Sequence, residues 1–380
     1  MYKKYITVVG VIFIVLALLS SPNLCIHAAK DGLLLWFNKV LPSLLPFIIL
    51  INILSKLNIM QGIASVASPI TQRLWKLPGI SLFVFIMGFV AGYPMGAKIV
   101  RQLLDDDTLS ASEAQKILCF SNNCGPLFII GTVGTLILGN TSIGYFLLVV
   151  HLLAALLISI IFSFYTSTPM PKKQTNCLRT YASSFKFSVL INESVTNAMD
   201  TIVYIGGYII FFSVIISIVN ASPIMVYWFQ PHLVSFIPTS ISSSVIAGLF
   251  ELSNGVNMLS GSNTLSICNL AIISFLIGFG GLCVHFQTSY VLGNCEFSLV
   301  PYIIAKLMQG TLSFILVYLF YPLAPMHTLQ TSPTFETIWF VLLIFFLILF
   351  IYSVKLLRHL YRSKESRMLK IKYKYKRMGA

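Results

Sequence analysis

With 57% hydrophobic residues, 9% charged residues and a mean hydropathy of +0.88, this 380-residue chain is excluded from the soluble domains. Its length holds about eight to ten segments of the roughly 20 residues needed to cross a hydrocarbon core, which makes it an all-α polytopic membrane protein. A net charge of +14 invites a nucleic-acid reading, but the basic residues gather at membrane edges and in the tail from Lys355 to Arg377, where they set topology and contact anionic lipid instead.

The N-terminus has Lys3 and Lys4, an apolar run over 5–19, then Ser21, Pro22 and small residues ending in Ala28 and Ala29. Such a segment is either a cleaved signal peptide or a first span, and the membrane character of the remaining chain favours a retained span. Further apolar segments follow at 33–57, 79–104, 115–139, 143–166, 195–220, 241–262, 264–290, 299–323 and 335–357. Four of these are broken. The first half reads Gly88-Phe89-Val90-Ala91-Gly92-Tyr93-Pro94-Met95-Gly96 and Ser121-Asn122-Asn123-Cys124-Gly125-Pro126. The second reads Gly248-Leu249-Phe250-Glu251-Leu252-Ser253-Asn254-Gly255 and Gly278-Phe279-Gly280-Gly281. Irregular backbone at bilayer depth leaves N–H and C=O groups unsatisfied unless they face protein or a water-filled cavity, so paired breaks point to a site between two repeats.

Positive charge decides which segments cross. The stretch with Lys56, Arg73 and Lys76, the turn with Lys98, Arg101 and Lys116, and the linker with Lys172, Lys173, Arg179 and Lys186 all belong on the cytoplasmic side. That holds only if 79–104 is a re-entrant hairpin. A second hairpin at 241–262 then enters from the opposite face, because 220–240 and 256–265 carry no Lys, Arg, Asp or Glu. Eight full spans remain, with both termini cytoplasmic. Span, Ser68-Pro69-Ile70, hairpin, broken span and intact span recur as span, Ser222-Pro223-Ile224, hairpin, broken span and intact span, starting from opposite sides. The expected architecture is therefore two inverted repeats with re-entrant hairpins and discontinuous helices. Boundaries follow: 1–30 as N-terminal span or signal anchor, 31–166 and 195–325 as the repeats, 167–194 as a basic linker, and 326–380 as final span and basic tail.

Trp36-Phe37-Asn38-Lys39-Val40-Leu41-Pro42-Ser43-Leu44-Leu45-Pro46-Phe47, the run Gly88 to Lys98, and Phe120-Ser121-Asn122-Asn123-Cys124-Gly125-Pro126-Leu127-Phe128 together resemble the YlbJ sporulation integral membrane proteins, also called SpoVV. The likeness covers roughly residues 5–325. Wider relatives are the Gate, or nucleoside-recognition, domains of nucleoside carriers and the ferrous-iron permease. The resemblance implies a role in spore formation, moving dipicolinic acid across the outer forespore membrane. The second-half break matches more loosely, and Lys306 stands where the resemblance leads one to expect arginine.

Dipicolinate is a small, flat, doubly anionic pyridine, so its site calls for donors and positive potential. Gly92, Tyr93, Pro94 and Gly96 start a half-helix whose free N–H groups suit an anion, and Lys98 follows as a fixed cation or as a boundary charge. Ser121, Asn122 and Asn123 offer hydroxyl and amide donors to substrate, or cap the half-helix. Ser253 and Asn254 do the same in the second hairpin. Glu251 is an acid within an apolar segment, suited to proton or cation coupling, or to pairing with a base. His285 and Gln287 follow the Gly280-Gly281 break, where a histidine titrates, donates to a carboxylate or simply packs. Lys306 and Lys39, inside spans, either reach an interface or neutralise Glu251 or Asp200.

The seven cysteines form no CxxC pair and the six histidines no metal-ligand spacing, so neither a metal site nor a cofactor is indicated. No nucleophile–base pair or phosphate loop appears, which argues against an enzyme. Three functions stay open: a transporter for a small organic anion, a nucleoside or metal-ion carrier of the same fold, and a non-transporting recognition or assembly module.

Overall fold

A computed structural model describes residues 2–56, 59–165, 187–222, 239–261 and 266–323, with isolated positions at 348, 351, 352 and 355, and every regular element among them is helical. Helix α1 (Tyr2–Ser20) is followed after Ser21 by α2 (Pro22–Leu35), a π-helical segment (Trp36–Val40) and α3 (Leu41–Lys56). The second span thus begins at Pro22 rather than near 33. Proline at the first helical position has a preset φ and no N–H to leave orphaned, so it starts a helix readily. The wide π turn sits just before Pro42, where the missing N–H and the ring's clash with earlier carbonyls disfavour a regular ladder.

Then come α4 (Ile59–Leu74), α5 (Ile80–Ala91), α6 (Met95–Asp105), α7 (Ala111–Ser121), a second π-helical segment (Phe128–Ile137) and α8 (Thr141–Tyr165). The second half holds α9 (Phe187–Ala221), α10 (Thr239–Phe250), α11 (Leu252–Ser260), α12 (Ile267–Phe279), α13 (Gly281–Leu292), α14 (Val300–Phe320) and a closing 3₁₀ turn, Tyr321–Leu323. Long helix, split hairpin, split helix and intact helix therefore occur in that order twice. Both expected hairpins are helix–break–helix units, α5–α6 and α10–α11.

Five stretches among the described residues are long and apolar enough to cross a membrane: Pro22–Ile53, Thr141–Phe164, Phe187–Ala221, Ile267–Leu292 and Val300–Phe320. Of the other three expected spans, 5–21 is carried by α1, whose apolar part is the shorter Val8–Ser20, and 115–139 is divided between α7 and the second π segment. The span at 335–357 and the basic tail fall outside the described residues save for isolated positions, as do residues 166–186 of the linker and the second Ser-Pro-Ile beyond Ser222. Helix α9 starts at Phe187, eight residues earlier than expected, because the sequence there has no proline or glycine to delay it.

Burial sorts the helices. In Ile267–Leu292 the most apolar window is 89% buried within the protein, against 28% for Pro22–Ile53, so α12 and α13 form the centre and α2 turns a face outward. Trp36 ties the outer rod to α9: its Nε1–H donates to the Ile202 carbonyl at 3.1 Å, beside Gly206, where a Cβ would meet the indole ring at 2.6 Å.

Candidate functional site

The four breaks, far apart in sequence, meet at one cavity of about 60 Å³. Gly92 and Tyr93 come from the first hairpin, Cys124, Gly125 and Phe128 from the first split helix, Glu251, Leu252 and Ser253 from the second hairpin, and Cys283, Val284 and Gln287 from the second split helix. Val40 and Leu44 of the outer rod and Ile205 and Ile209 of α9 close the walls. The hairpin tip reaches the first split helix because Gly92 adopts φ +78 and approaches Gly125 so closely that a Cβ would lie 2.8 Å from its nitrogen. Gly280 adopts φ +86, and its missing Cβ leaves room for the Tyr93 ring, 3.3 Å from where that atom would stand.

Tyr93 bridges the halves. Its hydroxyl donates to the carbonyls of Ile277 at 3.3 Å and Gly278 at 3.4 Å, and its peptide bond to Pro94 is cis. Pro94 immediately precedes α6, whose N-terminus has no side-chain cap. Gly96 packs on the backbone of Ser121 and Asn122. Lys98 does not line the cavity; it is half-buried, with Nζ 3.4 Å from Thr201 Oγ1 on α9.

Glu251, 4% exposed, caps the second half-helix. Its carboxylate accepts from Ser253 N at 3.0 Å, Asn254 N at 2.8 Å and Asn254 Nδ2 at 3.0 Å, so the helix N-terminus, not a base, is its partner. Asn254 also donates to Ser213 Oγ on α9 at 2.8 Å. The two hairpin tips are therefore unlike: one N-terminus is capped by an acid, the other by no side chain.

The polar triplet lies deeper, with no exposed surface. Asn122 Nδ2 donates to Thr288 Oγ1 at 2.9 Å and to Tyr302 OH at 2.8 Å. Asn123 Nδ2 donates to the Phe120 carbonyl at 2.7 Å, while its Oδ1 accepts from Lys306 Nζ and Gln309 Nε2, each at 3.0 Å. Ser121 Oγ and Asn122 Oδ1 have no hydrogen-bond partner. Gln287 lines the cavity and donates to Cys283 Sγ at 3.2 Å. His285 lies edge-on to Phe279 and Tyr302, and neither ring nitrogen finds a partner.

Lys306 neither reaches an interface nor meets an acid: it has no exposed surface, and Asp200 is exposed on α9. Lys39 instead donates to Asn257 Oδ1 at 2.8 Å. Sequence reasoning left out Tyr302, Gln309 and Ser313, which share a stripe of α14 with Lys306. Their spacing, one polar side chain every three or four residues within an apolar span, was the available signal. His151, fully buried on α8, was missed as well; its Nε2 accepts from Cys124 N at 3.3 Å.

Comparison with known proteins bears out the resemblance drawn from the sequence. Residues 37–170 match the Gate family model, described as nucleoside recognition. The chain is 29% identical over 341 residues to the sporulation integral membrane protein YlbJ of Bacillus subtilis (strain 168), covering 85% of this chain and 83% of the relative. No solved structure matches.

Proposed function

We propose that the protein is a sporulation membrane transporter that moves a small organic anion, dipicolinate foremost, across the outer forespore membrane. The observation that carries this is the meeting of all four broken segments, two from each half, at a single cavity lined in part by the most buried of the candidate spans. A recognition module that only holds a partner has no need of broken helices at that depth; a substrate that must be bound at mid-membrane and released on either side does. The charge distribution supports hairpins entering from opposite faces, hence inverted repeats with both termini cytoplasmic. Similarity to YlbJ supports the sporulation setting, and the basic tail supports contact with anionic lipid.

Gly92, Tyr93, Ser253 and Gln287 line the cavity and make the first contacts, while Ser121, Asn122, Asn123 and His285 stand in the layer behind. The Gate match favours a second reading, a nucleoside carrier. One experiment tests both: purified protein in liposomes takes up labelled dipicolinate above protein-free vesicles, and excess nucleoside does not compete. Absence of uptake by folded protein defeats the first reading, and competition by nucleoside favours the second.

A further inference from the structure

Behind the cavity wall stands an ammonium whose charge no carboxylate among the described residues balances. Nζ of Lys306 donates to Gln309 Oε1 at 2.6 Å and to Asn123 Oδ1 at 3.0 Å, and lies 5.7 Å from the centroid of the Tyr93 ring. Among the described residues no carboxylate is within ion-pair reach, since the acid nearest the site, Glu251, is held by its own helix. Two amide oxygens and a ring face solvate an ammonium without neutralising it. An uncompensated charge at such depth is costly, and ionisable residues kept there face a substrate or ion path.

The neighbourhood has spare donors. His285 is 7% exposed with both ring nitrogens unpartnered, and it packs at 5.4 Å on Tyr302, one helical turn before Lys306 on the same face of α14. Ser121 Oγ is likewise unpartnered. A carboxylate accepts hydrogen bonds and brings negative charge, and so satisfies both deficits together. Tyr93 stands between the cavity and the lysine, lining the cavity on one side and lying under Lys306 on the other. Its hydroxyl bonds, at 3.3 and 3.4 Å, are long against the usual 2.7–2.8 Å of an O–H···O bond, so the ring is lightly tethered.

We propose that Lys306 is the fixed cation of the transport site: a substrate carboxylate passes Tyr93 from the cavity and docks on this ammonium, with Asn123 and Gln309 as positioning residues and the substrate's flat ring against Tyr93. The inference rests on the transport reading and names the group that selects anions. It places selection on Lys306 and takes it from Lys98, which points to α9.

Asn123→Asp tests it, because it sets a carboxylate about 3.0 Å from Nζ and leaves the lysine in place, although it also turns the Nδ2 donor to the Phe120 carbonyl into an acceptor. Binding of labelled pyridine-2,6-dicarboxylate to protein in nanodiscs is measured, with benzoate and picolinate as further probes, alongside the melting temperature. The expected result is affinity at least roughly 30-fold weaker in Asn123→Asp that still melts cooperatively, the same loss in Lys306→Met, and wild-type affinity in Lys98→Ala. Gln309→Glu, acting on the same ammonium, is the second variant should the first not fold. Wild-type affinity in folded Asn123→Asp or Lys306→Met overturns the assignment and leaves the transport reading standing. Failure of the wild type to bind any of the three carboxylates overturns both.

Discussion

The capped acid of the second hairpin gives a quantitative expectation. Replacing Glu251 by glutamine keeps the shape of the side chain but turns one of its two acceptor oxygens into a donor. The oxygen that survives will stay with the two donors of Asn254, at 2.8 and 3.0 Å, which leaves the Ser253 N–H facing an amide NH₂. One buried hydrogen bond is lost, and two fall from the charge-assisted range of about 1.5–3 kcal/mol to the neutral range of about 0.5–1.5 kcal/mol. The interaction of the carboxylate with the helix N-terminus, up to about 2 kcal/mol when partly buried, also goes. Relief from burying a charge offsets part of this. The net cost is about 1–3 kcal/mol, which corresponds to local opening roughly 5 to 150 times more frequent. Hydrogen exchange in nanodiscs, read on peptides from 252–260, will accelerate by that factor, while 95–105 in the first hairpin stays unchanged. Unaltered exchange at 252–260 refutes the cap as the reason this acid is buried. Loss of uptake with unaltered exchange assigns Glu251 to coupling instead.

Three further outcomes follow from the packing. Gly280→Ala puts a Cβ at φ +86 and 3.3 Å from the Tyr93 ring, costing about 1–2 kcal/mol in backbone strain alone, so the melting temperature will fall by several degrees and dicarboxylate binding with it. Trp75→Phe removes a 2.9 Å bond from Nε1 to Ser159 Oγ and opens a small cavity among Phe85 and Phe120, lowering stability by about 1–3 kcal/mol without changing substrate affinity. Asp105→Asn breaks the ion pair with Arg101 but leaves the Arg101 bond to the Leu292 carbonyl at 2.8 Å, and melting in low and high salt will match the wild type.

The positions of the breaks were legible because glycine, proline and asparagine in an apolar run have few other uses. That 79–104 and 241–262 are each two short helices about a break was legible from those same residues, while entry from opposite faces rests on the charge of the flanking turns and stays with the proposal. Long-range partners were not. Asn123 and Lys306 lie 183 residues apart, and a polar side chain's type says that it needs a partner without saying which. Glu251 illustrates the same limit locally: an acid before Ser253 and Asn254 fits an N-cap or a coupling site equally well on paper, and the cap became visible only through the 2.8–3.0 Å contacts. The rod starting at Pro22 was missed because hydropathy marks where a segment is apolar, whereas capping marks where a helix begins.

The two halves place different side chains at the same sequence distance beyond their second break, and the proposed anion site turns on that difference. His151 on α8 stands as far beyond Gly125 as Lys306 on α14 stands beyond Gly280. In the first half that position holds an imidazole whose Nε2 accepts from the broken segment's own backbone and whose ring lies 6.1 Å from Phe89. In the second it holds an ammonium aimed across to Asn123 of the first half. Cations at both positions would repel each other in a medium of low dielectric constant, where like charges interact far more strongly than in water. A histidine that accepts a hydrogen bond at one position removes that repulsion and leaves the charge at the other free for the proposed carboxylate. Replacing His151 by lysine will therefore weaken dicarboxylate binding and stability together, even though the total positive charge near the site increases.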